Sequence, residues 1–329
     1  MNTCATPGAS RLESTIAQHF HWVGMRKTIE RHCRTCDTCQ RTKRGTDAPR
    51  GHAPEKLAEA TPWETSCVDL MGPYKIPLKQ KKKGKEVVLQ LWAVTMIDPC
   101  TGWFEIASIP SKSADIVSNA VERTWFCRYP WPQQVTIDRG KEFLAEFATM
   151  VDKDCGATRN PITACNPRAN SIVERVHQTI GNMIRTFSVQ NETDLDLDHP
   201  WEGILNAIAF AVRATVHTTL QASPSQLVFG RDAILPIMFQ ADWKYILDRK
   251  QRIIRKNNMR ENSKRTPHTY APRDLVLIEE PQNRKCGTDA FTGPGEIVSV
   301  EESNGTVEIQ VGNAIDTHNI RNIEPHHQR

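Results

Sequence analysis

The sequence predicts an α/β layer fold that follows a small helical module and precedes a small all-β barrel. A helical segment over residues 10–45 ends in Cys36-x-x-Cys39. From Thr65, short apolar runs come first and then alternate with stretches of helical spacing, an order typical of α/β layers. From Tyr270, apolar and polar residues alternate between turns rich in Gly, Asn and Pro, which predicts the barrel.

Composition and length indicate a globular protein with two or three domains. The chain has 329 residues, of which 39% are hydrophobic and 24% charged. Its longest nearly apolar run, residues 203–212, is too short to span a bilayer, and the amino terminus lacks the layout of a signal peptide. Ten cysteines in a chain of this size do not form a dense disulfide scaffold. We therefore expect a soluble intracellular protein without a membrane partner, in a reduced compartment.

The order of the segments predicts four parts. The helical module spans residues 1–45, and a Gly- and Pro-containing linker leads to an α/β core over residues 60–237. Within the core, "CVDLMG" predicts a strand, and "VVLQLWAVTMID" and "WFEIASIP" predict a hairpin closed by "PCTG". A basic helical connector over 242–266 then leads to the barrel at 270–325.

Positive charge is concentrated in two places, although the net charge is only +4. The segment "KQKKKGK" is one, and the segment from Lys244 to Arg265 is the other, with nine Lys or Arg against two Asp or Glu. Such clustering favours a polyanion such as DNA as the partner, and solvated basic faces are the alternative. The connector residues that we predict to bind DNA are Arg249, Lys250, Arg252, Arg255 and Lys256.

Three acids stand out as candidate metal ligands. Asp69 lies between Val68 and Leu70 in a strand that otherwise reads as buried, where an ionised carboxylate is costly without a partner. Asp138 ends the strand "VTID", the place where α/β sheets bind ligands. Glu174 follows Asp138 with 35 residues between them, opposite the apolar stripe of a helix over residues 166–187. Acids placed in this way can converge on a pair of divalent cations that activates a hydroxyl for phosphodiester chemistry. Oxygen ligands favour magnesium or manganese there.

At these residues the sequence resembles the integrases of Gypsy-type long-terminal-repeat retrotransposons and, more distantly, retroviral integrases. The motifs that carry the resemblance are "CRTCDTCQRTK", "VDLMGPY", "IDRGKEF" and "NPRANSIVERVHQTIGNMIR", together with the spacing between Asp138 and Glu174. Further along the chain, "SPSQLVFGR" and "GTVEIQVGNAIDTHNIRNIEP" extend the match to the end of the core and to the terminal barrel.

The resemblance implies a ribonuclease-H-like core that processes the 3′ ends of element DNA and transfers them into target DNA. Asp69 and Asp138 would be magnesium ligands, with Asp69 as the bridge, and Glu174 would hold the second ion. Asn170, Gln178 and Arg185 would line the path of the DNA backbone. A homo-oligomer that acts in the nucleus is the expected form.

The same resemblance implies a zinc site in the first module, and this sequence departs from the family there. The family pattern pairs two histidines with two cysteines. With the family's spacing of about 29 residues between the second histidine and the first cysteine, the histidine position falls on Thr6, whose hydroxyl is not a usual zinc ligand. Cys36 and Cys39 supply half of a site, which His19, His21, His32 or Cys33 would have to complete. We therefore expect a truncated or decayed module that holds zinc weakly and is loosely folded.

We expect the remaining cysteines, the tryptophans of the core and His177 to have structural rather than chemical roles. We expect Cys67, Cys100, Cys127, Cys155 and Cys165 to be buried thiols, and Trp63, Trp92, Trp103, Trp125 and Trp131 to pack the core. His177, one turn after Glu174, reads as a structural helix-edge histidine with substrate contact as the alternative. Two alternatives to an integrase remain: a catalytically idle DNA-binding or assembly protein of integrase origin, domesticated or decayed, and a ribonuclease H.

Overall fold

The computed structural model describes residues 9–42, 48–79, 86–161, 176–183, 202–280 and 289–327. By its internal contacts the chain divides into two units. Unit 1 consists of Met1–Lys56 and Arg255–Arg329, and unit 2 is Leu57–Ile254. Within the described ranges, no helix is long and apolar enough to cross a membrane.

Helices and strands follow the predicted order closely. The helices are α1 (Ala9–Ile16), α2 (Met25–Arg34), α3 (Asp37–Thr42), α4 (Ala114–Val121), α5 (Glu146–Thr149), α6 (176–183), α7 (Glu202–Ala214), α8 (Pro224–Phe229) and α9 (Trp243–Asn262). The strands are β1 (Thr65–Lys79), β2 (Glu86–Ile97), β3 (Phe104–Ile109), β4 (Gln134–Ile137), β5 (Thr158–Pro161), β6 (Leu275–Glu279), β7 (Phe291–Glu301), β8 (Thr306–Val311), β9 (Ala314–Asn319) and β10 (Ile323–Pro325).

Unit 2 is built on a five-stranded sheet of order β3-β2-β1-β4-β5. The pairs β1–β2 and β2–β3 are antiparallel, whereas β1–β4 and β4–β5 are parallel. The hairpin β2–β3 turns through the predicted "PCTG". There Asp98 accepts hydrogen bonds from the backbone N–H of Cys100 and the hydroxyl of Thr101. The predicted mixture of antiparallel and α/β segments is confirmed.

Helices cover both faces of this sheet, because alternate residues of each strand point to opposite sides. On one face, Val68 and Val135 pack with residues of α4 and α5 such as Val117 and Phe147. On the other face, which we call the α6/α7 face, Cys67 and Met71 pack with residues such as Ile180 of α6 and Ile208 of α7. The result is a three-layer α/β/α core.

Two elements of unit 2 differ from the sequence prediction. The stretch "EFLAEFATMVDKDCG" is not one helix. A single 3-10 turn at Lys141–Phe143 is followed by a break at Ala145, whose φ is 50°, and α5 then continues as a π-type turn over Met150–Asp154. Strand β5 has no counterpart in the sequence prediction, because this short edge strand is mostly exposed and ends in a proline.

Unit 1 contains the amino-terminal helices and a second sheet. This sheet has the order β10-β6-β7-β8-β9 and is antiparallel throughout. Its core includes Val276, Ile297, Val307 and Ile323. The predicted strands are present, but closure into a barrel is wrong, since no pairing joins β9 to β10 among the described residues.

The amino-terminal helices pack against this second sheet. Arg41 forms an ion pair with Asp289, and its backbone carbonyl accepts a hydrogen bond from Ala290 N–H at 2.8 Å. The Gln40 side-chain amide exchanges two hydrogen bonds with the backbone of His327, each 2.9 Å long. Helix α3 is therefore held by hydrogen bonds that do not involve a metal.

The described part of the predicted linker is also held in unit 1. The backbone of Ala53 exchanges two hydrogen bonds with the Asn262 side chain, at 3.1 and 3.0 Å, and Ala53 is buried in the core of the second sheet. Arg50 forms a parallel bridge with Thr266. Gly51 has a φ of 83° and faces the Tyr270 ring, so this segment is packed along its length.

Candidate active site

The candidate site lies on the α6/α7 face of the first sheet. Cys67 and Met71 of β1 point to that face, so Asp69 between them points there too. By the same alternation, Thr95 of β2 and Asp138 at the end of β4 point to this face, because Val94 and Ile137 point to the opposite one. Three polar side chains from neighbouring strands thus share one side of the sheet.

The register of β1 and β4 bears on the two predicted aspartates. In the parallel pair β1–β4, Thr65 is opposite Gln134 and Cys67 is opposite Thr136, where the pairing ends. The same register, continued by two residues, would set Asp69 opposite Asp138. Because neighbouring strands lie about 4.8 Å apart, we expect the two carboxylates to lie near each other.

Asp69 is partly buried, with 19% of its side chain exposed, and its carboxylate and backbone are both held. The Leu70 N–H donates a hydrogen bond to Asp69 Oδ1 at 2.8 Å. On the neighbouring strand, Thr95 is paired directly opposite Asp69, and its hydroxyl lies 3.1 Å from the Asp69 carbonyl oxygen. The predicted position of an acid within a buried strand is confirmed, and the local contacts fix its orientation.

Asp138 is exposed at the end of β4, where the chain leaves the sheet. Its Oδ1 accepts a hydrogen bond from Gly140 N–H at 2.9 Å, which closes the turn after the strand. Asp138 therefore presents an oriented carboxylate to solvent at the end of β4.

His177 on α6 joins these residues. Its Nε2 lies 2.8 Å from the Thr95 hydroxyl, and its Nδ1 lies 3.9 Å from Asp69 Oδ2. Burial lowers the pKa of His177 to about 4, so the imidazole is neutral at physiological pH. The sequence favours a structural role for this residue. The signal that points to the site is its spacing of three residues from Glu174, which places both positions on one side of a helix.

Several predicted site residues lie outside the described residues: Glu174, Asn170 and Arg185. Gln178 is described and is exposed on α6. In the described part of the chain, no three His, Cys, Asp or Glu side chains come close enough together to hold a metal ion. Asp69, Asp138 and Glu174 stay predicted ligands of a divalent-metal site.

The cysteines predicted to bind zinc are close in sequence and both buried. Cys36 lies between α2 and α3, and Cys39 lies within α3. Of the residues considered to complete the site, His19, His21 and His32 are exposed, and Cys33 is partly buried. All six of these residues are described, and within the described ranges no three of them form a metal-binding group.

The basic helix α9 is present as predicted, but its cations differ in their surroundings. Lys250 is only 5% exposed, and its ammonium group contacts Glu59 Oε2 at 2.9 Å and the Pro99 carbonyl at 2.8 Å. The prediction that Lys250 binds DNA is therefore wrong, because its ammonium group already has oxygen partners inside unit 2. Arg249 donates to the carbonyl oxygens of Thr218 and Thr219.

The exposed cations of α9 form one stripe. Arg252, Lys256 and Arg260 are all exposed and are spaced four residues apart, so they follow one another along one side of the helix. Arg255 is also exposed and pairs with Glu55 at 3.2 Å. Arg260 is not among the residues that the sequence predicts to bind DNA, because counting charges does not show which of them share one face of a helix.

The cysteines and tryptophans follow the structural interpretation in part, since Cys155 is only partly buried and Cys127 and Trp131 are exposed. Cys67 and Cys100 are buried, whereas Cys127 is exposed. Trp103 and Trp125 are buried in an aromatic cluster with Trp63, but Trp131 is 58% exposed. Cys165 is not among the described residues.

A mixed five-stranded sheet of order β3-β2-β1-β4-β5 with helices on both faces defines an α/β core of the ribonuclease-H-like class. The overall structure is similar to a chain of the simian T-cell lymphotropic virus intasome in complex with PP2A regulatory subunit B56 gamma. The TM-score is 0.58 at 13% sequence identity, with 97% of this chain and 98% of that chain covered. This similarity confirms the predicted fold class.

Sequence comparisons point to the same group of proteins. Residues 5–45 match the integrase zinc binding domain family. The chain is 26% identical over 235 residues to the retrovirus-related Pol polyprotein from transposon 412 of Drosophila melanogaster, covering 70% of this chain and 18% of that protein. It is 25% identical over 232 residues to the Gypsy retrotransposon integrase-like protein 1 of Homo sapiens, covering 70% and 40%. The resemblance to Gypsy-type integrases is thereby confirmed, and the chain spans less than half the length of these relatives.

Proposed function

We propose that this chain is a DNA integrase that trims the 3′ ends of element DNA and joins them to target DNA with divalent metal ions. The observation that carries the proposal is the pairing of β1 with β4, whose register, continued by two residues, would set Asp69 opposite Asp138 on one face of the sheet. Similarity to integrases in sequence and in fold supports the same reaction class.

The donor set fits hard divalent cations. Carboxylate oxygens are preferred by Mg²⁺ and Mn²⁺, and both aspartates are reachable from solvent, one fully exposed and one partly. We assign Asp69, Asp138 and Glu174 as the residues that hold these ions, with Asp69 between the two. Bound there, a metal pair would activate the attacking hydroxyl and stabilise the leaving oxygen of the phosphodiester.

Residues of the chain itself orient these carboxylates before substrate binds. The N–H groups of Leu70 and Gly140 hold one oxygen each of Asp69 and Asp138. A preoriented site loses less free energy to reorganisation in the transition state. We assign to Gln178, which is exposed on α6 next to His177, a contact with a phosphate of the bound strand.

We assign sequence-independent DNA affinity to the exposed cations of α9. Arg252, Lys256 and Arg260 can neutralise neighbouring phosphates, because they follow one side of one helix. Element ends and target duplex are the two DNA partners of the proposed reaction. Insertion into chromosomal DNA would take place in the nucleus, by a homo-oligomer that holds both element ends.

A strand-transfer assay tests the proposal. Purified protein, Mg²⁺ and short duplexes carrying candidate terminal-repeat ends are expected to yield joined products. We predict that Asp69→Asn, Asp138→Asn and Glu174→Gln each lower joining by more than about 100-fold, because oxyanion and metal stabilisation are usually worth that much. DNA binding, measured by fluorescence anisotropy, should stay within about twofold of the parent protein, since the basic contacts that supply affinity remain.

Glu122→Gln is the matched control, since it also neutralises one carboxylate, on an exposed position after α4. Its joining rate should equal that of the parent. Joining by the Asp69 variant at the parental rate would contradict the assignment. DNA binding without joining by the parent protein, across all candidate ends, would instead identify a catalytically idle DNA-binding protein.

A further inference from the structure

We propose that His177 adds a nitrogen ligand to the metal ion held by Asp69. This inference rests on the proposed function, because it adds a residue to the same metal site. It assigns to the site a donor of a different kind from its three carboxylates. The inference depends on the close approach of three described residues, Asp69, Thr95 and His177.

The spacing of the donor atoms suits a shared ion. His177 Nδ1 lies 3.9 Å from Asp69 Oδ2. This separation is too long for a hydrogen bond. It is slightly shorter than the summed length of two metal–ligand bonds of about 2.1 Å each. An ion between the two atoms would therefore reach both after a small adjustment of the side chains.

Hydrogen bonding to Thr95 determines which ring nitrogen is available. The Thr95 hydroxyl has one proton and lies close to two partners, the Asp69 carbonyl oxygen at 3.1 Å and His177 Nε2 at 2.8 Å. A carbonyl oxygen only accepts, so the hydroxyl donates its proton there and accepts a hydrogen bond from Nε2–H. With Nε2–H as this donor, Nδ1 presents its lone pair towards Asp69.

This arrangement matches the surroundings of histidines that bind metals. Such histidines donate their second ring N–H to an oxygen acceptor, which fixes the tautomer and the ring orientation. Here the acceptor is Thr95, which is 1% exposed and paired with Asp69 across the strands.

A nitrogen ligand changes the preference of the site among metals. Imidazole suits transition metals, whereas carboxylates and water suit Mg²⁺. We therefore expect His177 to favour Mn²⁺ over Mg²⁺. Replacement by Asn should lower Mn²⁺ affinity by on the order of tenfold or more, while Mg²⁺ affinity changes less.

Pulsed electron paramagnetic resonance of bound Mn²⁺ tests this without relying on turnover. The full-length protein loaded with Mn²⁺ should show the ¹⁴N coupling of a coordinated imidazole, and labelling with ¹⁵N-histidine should replace it by the ¹⁵N signal. His177→Asn should lose the coupling but keep Mn²⁺. His217→Asn, a change at an exposed histidine of the same unit, should retain it. Asp69→Asn should lose the bound Mn²⁺ itself.

The spectrum of the parent protein is decisive even if a variant fails to fold. Mn²⁺ that binds in an Asp69-dependent manner without an imidazole coupling would overturn this inference and leave the proposed function intact. Failure of Mn²⁺ to bind in an Asp69-dependent manner would overturn both. A coupling that persists in His177→Asn would assign the nitrogen to another residue and overturn the inference.

Discussion

At the scale of single residues, burial separates cysteines that the sequence treats alike. Burial raises the pKa of Cys67 and of Cys100 to about 12, whereas Cys127 is exposed. The thiolate is the reactive form, so the two buried thiols are inert near neutral pH. Cys67 lies two residues before Asp69 on β1, and its inertness means that thiol reagents leave the candidate site unmodified.

We predict that iodoacetamide at a pH of about 8 modifies Cys127 but neither Cys67 nor Cys100, because only a thiolate reacts. Mass spectrometry of the digested protein measures the modification. Both raised pKa values favour the folded state below the ordinary thiol pKa of 9.0, and this stabilisation is lost as pH rises from there to about 12. The same reaction in denaturant should modify all three cysteines and serves as the control. Rapid labelling of Cys100 in the folded protein would show that the turn after β2 opens.

At the scale of elements, helix α9 contains cations with opposite roles. The Lys250 ammonium has three oxygen contacts, two of them from Glu59, whereas Lys256 is exposed on the same helix. A buried cation with all its hydrogen bonds made contributes to folding, while an exposed one contributes little. Charge alone, as read from the sequence, cannot distinguish the two.

We predict that Lys250→Met destabilises the protein by about 1–3 kcal/mol, because Glu59 and the Pro99 carbonyl lose their donor. Lys256→Met is the matched control on the same helix, and its effect should stay within about 0.5 kcal/mol. Urea denaturation followed by circular dichroism measures both. Equal stability of the two variants would show that the Lys250 contacts do not persist in solution.

The exposed stripe of α9 gives a prediction about DNA. Replacing Arg252, Lys256 and Arg260 by Gln should reduce the slope of log affinity against log salt by roughly 0.9 for each phosphate that the variant no longer neutralises. The control replaces three exposed cations elsewhere in the core, Arg123, Arg128 and Lys153, which removes the same charge. An equal reduction of the slope in both triple variants would indicate a diffuse charge effect rather than a DNA surface on α9.

At the scale of the whole molecule, the amino-terminal module and the carboxy-terminal sheet form one unit. The sequence predicts a loosely folded first module. In the structure, α3 is bound to the second sheet through the backbones of Arg41 and His327. Loss of zinc therefore has different consequences along the module, since α3 has contacts that need no metal.

We predict that dialysed protein retains less than one zinc per chain, measured by metal analysis, because Thr6 replaces an expected ligand. Limited proteolysis in the presence of a chelator should cleave within α1 and α2, while α3 stays protected with the carboxy-terminal sheet. One tightly held zinc per chain, absent from Cys36→Ser, would show that other residues complete the site.

The sequence by itself determined the chemistry and the local structure of this protein. The alternation in "CVDLMG" and "VTID" placed Asp69 and Asp138 on strands, and the spacing of apolar residues predicted α7 and α9, because these patterns depend on neighbours along the chain. Tertiary structure decided which groups meet. The pairing of β1 with β4 set the two strands that lead to Asp69 and Asp138 side by side, packing of α6 brought His177 to Thr95, and burial withdrew Lys250 from the basic surface. It also left the second sheet open and bound α3 to it. These outcomes depend on contacts between residues far apart in sequence, which local periodicity and charge do not encode.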